Sequence, residues 1–380
     1  MTKVCVITGG RMDYGHLYKV MQAINLSPIL ELQIIATCMH LSPEFGLTYK
    51  KIEEDGFSIN KKVECLLSSD TPSAVAKSVG MACISFSDAF LDLKPDLILL
   101  MGDRYELLAA SQVALLMKIR IAHISGGDTT EGAYDEAIRH SITKMSHLHF
   151  VTNTDAFKRV KQLGENPEYI FNVGSPTIDY IIDTPMISKE DLEKKLKFKL
   201  RKINIIFTYH PVTLNAKKDR DDLLLILSAL AELGQDVGLL ITKSNADDGG
   251  RVLNQEIDKF TETNKNAKSF DSLGQFLYYN CINNFDCVVG NSSSGLFEVP
   301  TFKKPTVNIG DRQKGRIRSK SVIDCKVNKK EILNAISRAL KMNCEDIINP
   351  YGKGDSSMKI VSLLESIDIN KLSLQKHFYS

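Results

Sequence analysis

Apolar residues come along this chain in two alternating rhythms. The opening KVCVITGG is a short, nearly unbroken apolar run that stops at two glycines, the pattern of a buried strand. RMDYGHLYKVMQAINL follows, with Leu17, Val20, Met21 and Ile24 at helical spacing. Next come strand LELQIIATCMHL, helix SVGMACISFSDAFLDL, strand DLILLMGDR, helix ELLAASQVALLM, strand RIAHISGG, helix AYDEAIRHSITKMSH and strand LHFVTN. This alternation predicts a parallel sheet with helices on both faces.

The rhythm breaks from Gly174-Ser175-Pro176 to Pro185, passes through the charged helix KEDLEKKLKFKL, and restarts. The second half reads as strand INIIFTYHP, helix DDLLLILSALAEL, strand VGLLITKSN, a helix near Val252 to Thr263, helix LGQFLYYNCINN, strand DCVVGNSSSG, helix LFEVPTF and strand PTVNIG. The predicted class is therefore α/β, with two doubly wound Rossmann-like domains facing a cleft. The expected boundaries are 1–175, 176–356 and 357–380. The last segment is a helix, about Ser357 to Ser366, that packs back on the first domain.

Composition narrows the picture without redirecting it. The chain has 380 residues, enough for two cores, and is 43% hydrophobic and 25% charged. A formal net charge of +2 gives no global pull toward nucleic acid or membrane. The local basic run from Arg312 to Lys320 suits a small anion better than a polyanion. Eight cysteines lie scattered with no CxxC pair, several inside apolar runs. With no legible signal peptide, they are expected to be reduced thiols in a cytoplasmic protein. No apolar stretch in the pattern approaches the length of a membrane span.

The candidate chemistry gathers at strand ends, where open α/β sheets bind ligands. IAHISGG runs into Asp128, Glu131, Asp135, Glu136 and Arg139. The neighbouring strand ends in Asp103 and Arg104. Asp103 is either functional or the N-cap of the next helix. Asp135 and Arg139, spaced i,i+4, are either part of a site or a surface ion pair. The first turn, Gly9-Gly10-Arg11, is either an anion-binding turn at a helix start or a tight turn with a surface arginine. His210 follows the first strand of the second half, placed to donate to a phosphate oxygen or to act as a general acid. Ser292, Ser293 and Ser294, flanked by glycines at a helix start, suit a phosphate. Glu298, one turn on, suits a ribose diol, and Arg312 adds a cation near the same sheet end. His40, His147 and His149 lack a third ligand at metal-like spacing, so a zinc site is not expected. No serine sits in a nucleophile elbow.

These residues resemble a known family. GGRMDYG is similar to the opening motif of the UDP-N-acetylglucosamine 2-epimerases. MGDRYE, HISGGDTTEGAYDEAIRHSITKMSHLH, YHPVT, SNAD (244–247), GNSSSGLFEVP and NIGDRQKGR resemble motifs of its hydrolysing branch, in order along the chain. That branch includes enzymes of bacterial sialic acid synthesis. The resemblance implies a GT-B-like fold and conversion of UDP-N-acetylglucosamine to N-acetylmannosamine plus UDP. Anti elimination to a 2-acetamidoglucal precedes hydration, and neither metal nor redox cofactor is required. It implies that Asp103 and Asp135 are catalytic carboxylates. It also implies that Arg11, Arg139, His210, Asn245, Ser292, Ser293, Glu298 and Arg312 hold UDP or sugar, with Arg104, Ser125 and Ser294 beside them. Family members are usually dimers or tetramers, so a homodimer or homotetramer is expected. The apolar helix ELLAASQVALLM would supply an interface as readily as core.

Ser125 stands where some hydrolysing members have glutamate. Asp128 is the candidate replacement for that carboxylate, and His210 joins the catalytic candidates. Cys38 replaces a glycine usual in the family's turn after the second strand. Other readings are a UDP-N,N′-diacetylbacillosamine 2-epimerase of legionaminic acid synthesis, a non-hydrolysing 2-epimerase, a GT-B glycosyltransferase and a nucleotide-sugar binding protein without turnover. The GGD/AYDEAIRH segment argues against the non-hydrolysing branch. The carboxylates after Gly127 go unexplained in a glycosyltransferase.

Overall fold

The computed structural model describes residues 1–69, 71–129, 135–212, 216–244 and 250–380, the side chains of residues 216, 217, 250 and 251 aside. The chain divides into two compact units. Of the described residues, 1–129, 135–180 and 351–380 form the first, and 181–350 the second.

The first unit is a parallel sheet of seven strands in the order β3-β2-β1-β4-β5-β6-β7. They are β1 Thr2–Thr8, β2 Leu30–Thr37, β3 Lys61–Val63, β4 Leu97–Met101, β5 Arg120–Ile124, β6 Leu148–Val151 and β7 Ile170–Asn172. Its helices are α1 Arg11–Leu26, α2 Tyr49–Glu54, α3 Pro72–Leu93, α4 Tyr105–Leu116, α5 Asp135–Met145 and α6 Thr154–Gln162; the division between units falls in α7 Pro176–Ile182. Successive side chains of the central strands point to opposite faces, so both faces bury apolar residues. Val4, Val6, Leu97 and Leu99 join Leu17, Val20 and Ile24 of α1 in one core. Cys5, Ile7, Ile98 and Leu100 join Phe86 and Phe90 of α3 and Leu107 and Val113 of α4 in the other.

The second unit is a parallel sheet of six strands in the order β10-β9-β8-β11-β12-β13. They are β8 Ile203–Thr208, β9 Val237–Thr242, β10 Ala267–Phe270, β11 Cys287–Gly290, β12 Thr306–Ile309 and β13 Val322–Cys325. Its helices are α8 Lys189–Leu196, α9 Ala216–Ala231, α10 Gly250–Thr263, α11 Gly274–Asn284, α12 Ser294–Phe297 and α13 Lys329–Ala339. The segment LFEVPTF, expected as one helix, is a four-residue helical turn followed by a 3-10 turn at Val299–Phe302. Pro300, which lacks an N–H to donate, sits in the second of these.

The chain then returns to the first unit as α14 Ser356–Ser366. Ile360, Val361 and Leu364 enter the same core as α1. The Asp179 carboxylate accepts from the backbone N–H groups of Ser356 at 3.1 Å and Ser357 at 2.5 Å, satisfying donors at the start of this helix. The Ser175 N–H lies 2.6 Å from the Tyr351 carbonyl. These bonds place residues 176–180 and 351–356 in the first unit, where the sequence pattern had put both in the second domain.

One helix is longer than its pattern suggested. α3 starts at Pro72, with the Thr71 hydroxyl accepting from the Ala74 N–H at 3.3 Å, an N-cap followed by proline at the first helical position. By length and composition it meets the requirement for a membrane span, contrary to the expectation from the pattern. In this fold it is the crossover between β3 and β4.

Candidate active site

In each sheet the strand order reverses at one place, between β1 and β4 in the first unit and between β8 and β11 in the second. Helices leave in opposite directions from such a point and open a crevice at the carboxyl ends of the strands. The candidate site residues that are described lie at or next to these two ends.

In the first unit, Gly102 follows β4 with φ 87°, a left-handed conformation that glycine adopts without strain. It turns the chain so that Asp103 ion-pairs with Arg139 of α5. The N-cap of α4 is Arg104, so the Asp103 carboxylate is not spent on capping. Arg139 is buried and also donates to Glu136 at 2.9 Å and to the Asp128 carbonyl at 2.6 Å. Glu136 in turn lies 3.2 Å from His140. The Asp128 carboxylate accepts from Thr152 at 2.7 Å and Asn153 at 3.2 Å. Ser125 leaves β5 with φ 66°, its N–H bonded to the Phe150 carbonyl at 3.0 Å. Asp135 opens α5, half-buried, one turn before Arg139. Arg11 opens α1 and is exposed.

Two acids escaped the sequence reading. Asp13, in the first turn of α1, accepts from the Gly9 N–H at 3.3 Å and lies 3.9 Å from Arg104. Burial pushes its carboxyl up to about 7, with Glu106 and Asp103 adding to the rise and Arg104 opposing it. Glu106 is fully buried and ion-pairs with Arg104. A Cβ on Gly9 would overlap the Glu106 carboxylate, so this glycine is there for space. The available signal was the position of both acids beside residues already chosen, Arg11 and Arg104. Their burial was not visible in the sequence.

Beneath these turns lies His123 of β5. Its Nε2 is 2.7 Å from the Gly102 carbonyl and its Nδ1 is 3.1 Å from the Thr143 hydroxyl. The same hydroxyl donates to the Arg139 carbonyl at 2.9 Å. Burial lowers this imidazole to about 3, so it is neutral at physiological pH.

In the second unit, Asn291 organises the strand ends. Its side chain accepts from the His210 N–H at 2.7 Å and donates to the His210 carbonyl at 2.8 Å. Its own carbonyl takes Gln313 at 2.8 Å and Arg312 at 3.3 Å. His210, Arg312 and the serine turn are thereby gathered around one residue that the sequence reading quoted but did not select. Burial, then the Arg312 charge, lowers the His210 imidazole to about 4. Its Nδ1 is buried and has no hydrogen-bond partner among the described residues.

In the serine turn, Ser292 Oγ accepts weakly from the Ser294 N–H at 3.4 Å, and Ser293 is the N-cap of α12. Ser294 accepts from Tyr278 at 2.8 Å and donates to Glu298 at 2.5 Å. Glu298 also accepts from Tyr279 at 3.1 Å. Each Glu298 oxygen thus keeps a further lone pair for an incoming hydroxyl. Burial raises the Glu298 carboxyl, and the bonds from Ser294 and Tyr279 moderate the rise. Asn245, expected to contact UDP, and Glu131 lie outside the described residues.

The model of the UDP-N-acetylglucosamine 2-epimerase family matches residues 22–365. The chain belongs to this family. It is 45% identical over 327 residues to a hydrolysing GDP/UDP-N,N′-diacetylbacillosamine 2-epimerase of Campylobacter jejuni, covering 86% of this chain and 85% of the relative. It is 33% identical over 388 residues to a polysialic acid biosynthesis protein of Escherichia coli, covering 100% and 97%. The crystal structure of the Neisseria meningitidis UDP-N-acetylglucosamine 2-epimerase, bound to UDP-N-acetylglucosamine, superposes with a TM-score of 0.82 at 18% identity, over 96% of this chain and all of that one. The family match takes in every strand of both sheets except β1, and every site turn except the one from Gly9 to Asp13, and the shared fold is the two-unit α/β architecture.

Proposed function

We propose that this chain hydrolyses a UDP-linked 2-acetamido sugar with inversion at C2, releasing UDP and the free 2-epimer. The observation that carries the reading is the Asp103–Arg139 pair at the β4 end, in a chain 45% identical to a hydrolysing 2-epimerase. The C2 hydrogen is weakly acidic, so its removal needs a positioned carboxylate. In this reading Asp103 and Asp135 serve the two faces of the sugar. One takes the C2 proton as the C1–O bond to UDP breaks, giving the 2-acetamidoglucal. A proton then returns to C2 on the other face while water adds at C1. Asp128, held by Thr152 and Asn153, is the candidate for the carboxylate that some relatives place at residue 125.

The leaving diphosphate needs donors and cations as its charge grows. Arg11 and Arg104 are proposed for this in the first unit, with Arg312, Ser292, Ser293 and Asn245 in the second and Glu298 on the ribose. His210 is neutral at physiological pH, with a buried Nδ1 that has no hydrogen-bond partner among the described residues. That supports a hydrogen bond to phosphate over release of a proton.

For the sugar, the Campylobacter jejuni relative supports the 2,4-diacetamido substrate named in its description. The Escherichia coli relative supports a place in sialic acid synthesis, and the Neisseria meningitidis UDP-N-acetylglucosamine 2-epimerase, 29% identical over the whole chain, supports the N-acetylglucosamine reading. Incubation with each UDP-sugar in deuterated water, followed by NMR, tests both. Free 2-epimer carrying deuterium at C2, together with UDP, is the expected result for one of the two. An intact UDP-linked epimer would establish the non-hydrolysing reaction instead, and binding without any turnover would leave a nucleotide-sugar binding protein.

A further inference from the structure

α5 presents Asp135 and Arg139 at its site end, yet its apolar grip on the unit is small. Of its eleven residues only Arg139, Ile142 and Thr143 are buried, and Ile142 alone of these is apolar. Its other end is held by the last residues of the chain. The Lys376 ammonium has three hydrogens to give. They go to the Lys144 carbonyl at 2.7 Å, the Ser146 carbonyl and the Glu165 carboxylate at 2.7 Å. Lys144 and Ser146 stand at the end of α5, where carbonyls lack partners within the helix and attract a cation. Glu165 ties the same lysine to the rest of the unit. It is buried and also accepts from His149 of β6 at 3.0 Å and from Lys144 at 2.8 Å. Burial raises its carboxyl, but the bonds from His149, Lys144 and Lys376 outweigh this and bring it down to about 2, so it stays ionised.

The chain is fixed on both sides of Lys376. Arg120 of β5 donates to the carbonyls of Asn370 at 2.7 Å and Leu372 at 3.0 Å, and the Tyr379 N–H donates to the Gly164 carbonyl at 2.9 Å. A Cβ on Gly164 would strike the Phe378 ring, so that glycine makes room for the tail. Residues 373–380 enter neither of the two cores described above, and all of them except Lys376 are exposed. Polar bonds at the end of α5, not burial of apolar surface, fasten this segment. We infer that Lys376 is a positioning residue for hydrolytic 2-epimerisation, resting on the roles proposed for Asp135 and Arg139. By holding the C-terminal end of α5 it sets where the other end presents those two side chains. A helix of eleven residues is about 15 Å long and moves as a rod, so slack at one end reaches the other.

Lys376→Met in the full chain tests this. It keeps most of the side chain's length, removes the ammonium and leaves Glu165 with His149 and Lys144. Hydrogen exchange of the α5 amides, followed by mass spectrometry, should quicken about tenfold with the second unit unchanged. The kcat should fall about tenfold, the scale of small misplacements, with KM and UDP affinity unchanged. Lys376→Arg should recover most of both effects, and removal of residues 373–380 should repeat the loss. Wild-type exchange in α5 of the methionine variant, undiminished kcat beside quickened exchange, or quickened exchange spread evenly over the first unit would each overturn the role. A wild type inactive on both UDP-sugars would sink the proposed reaction alone, and the exchange of α5 would then decide by itself whether Lys376 holds the helix.

Discussion

His123 Nε2 stands 2.7 Å from the Gly102 carbonyl oxygen, so a buried strand residue pegs the turn that carries Asp103. A carbonyl only accepts, hence Nε2 carries the hydrogen. Nδ1 of the neutral ring is then only an acceptor, and the single hydrogen of the Thr143 hydroxyl beside it goes to the Arg139 carbonyl, so the ring's committed bond is the one to the Gly102 turn. His123 is thus a positioning residue for the turn that carries Asp103. His123→Phe keeps an aromatic ring and removes the peg. It should lower kcat about tenfold to a hundredfold, the scale of small misplacements, with UDP affinity nearly unchanged. His123→Gln, which can return an N–H to the carbonyl, should recover part of the loss. Wild-type kcat in the phenylalanine variant would show that the turn holds itself.

Asp103→Asn tests the carboxylate directly. The side chain keeps its shape and loses the ability to take a proton. Turnover should fall about a thousandfold, within the range for a general acid–base group, while UDP binding measured by calorimetry persists. Full activity would remove Asp103 from the proton transfers.

Asp13 gives a pH dependence with a definite sign. Burial lifts its carboxyl from 3.8 to about 7 in the folded protein. Between those values the folded state binds more proton than the unfolded chain, so this group's contribution to stability is fully present below pH 4 and is lost as pH rises through 7. Asp13→Asn removes the proton difference. The melting temperature of the variant relative to wild type should therefore rise steadily from pH 4.5 to pH 8. A constant difference across that range would mean that Asp13 is ionised in the folded chain.

Gly9→Ala should destabilise the first unit by about 1–3 kcal/mol, the usual cost of forcing extra atoms into a packed site. The new methyl would meet the buried Glu106 carboxylate. Glu106→Asp withdraws that carboxylate by one carbon, so combining the two substitutions should recover part of the loss in a denaturant melt. No coupling between them would mean that the strain is relieved elsewhere.

What the sequence showed and what it hid divide along physical lines. The central strands were legible because burial on both faces demands nearly continuous apolar runs, as in LILLM and INIIFT. The four strands absent from the pattern reading, β3, β7, β10 and β13, are the four sheet edges. Each is three or four residues long and partly exposed, as in KKV and AKSF. Such short, half-polar strands carry too weak an alternation to read. At the site, turn glycines and clustered acids revealed the strand ends. They did not reveal that Arg139 reaches back to Asp103 as well as to its neighbour Glu136 on α5, or that Asn291 fastens both sides of the His210 backbone. Those are contacts between segments far apart in sequence.

The return of the chain to its first unit sets an order of events during synthesis. Ile360, Val361, Leu364, Ile369 and Leu372 belong to the same core as Val4 and Leu17. A ribosome therefore delivers all of residues 181–350 before the first core can be sealed. Until then the outer side of α1 stands open as an apolar surface on the nascent chain, a natural place for a chaperone to hold. The second unit, continuous in sequence, is free to fold first, which inverts the usual N-to-C order of domain folding.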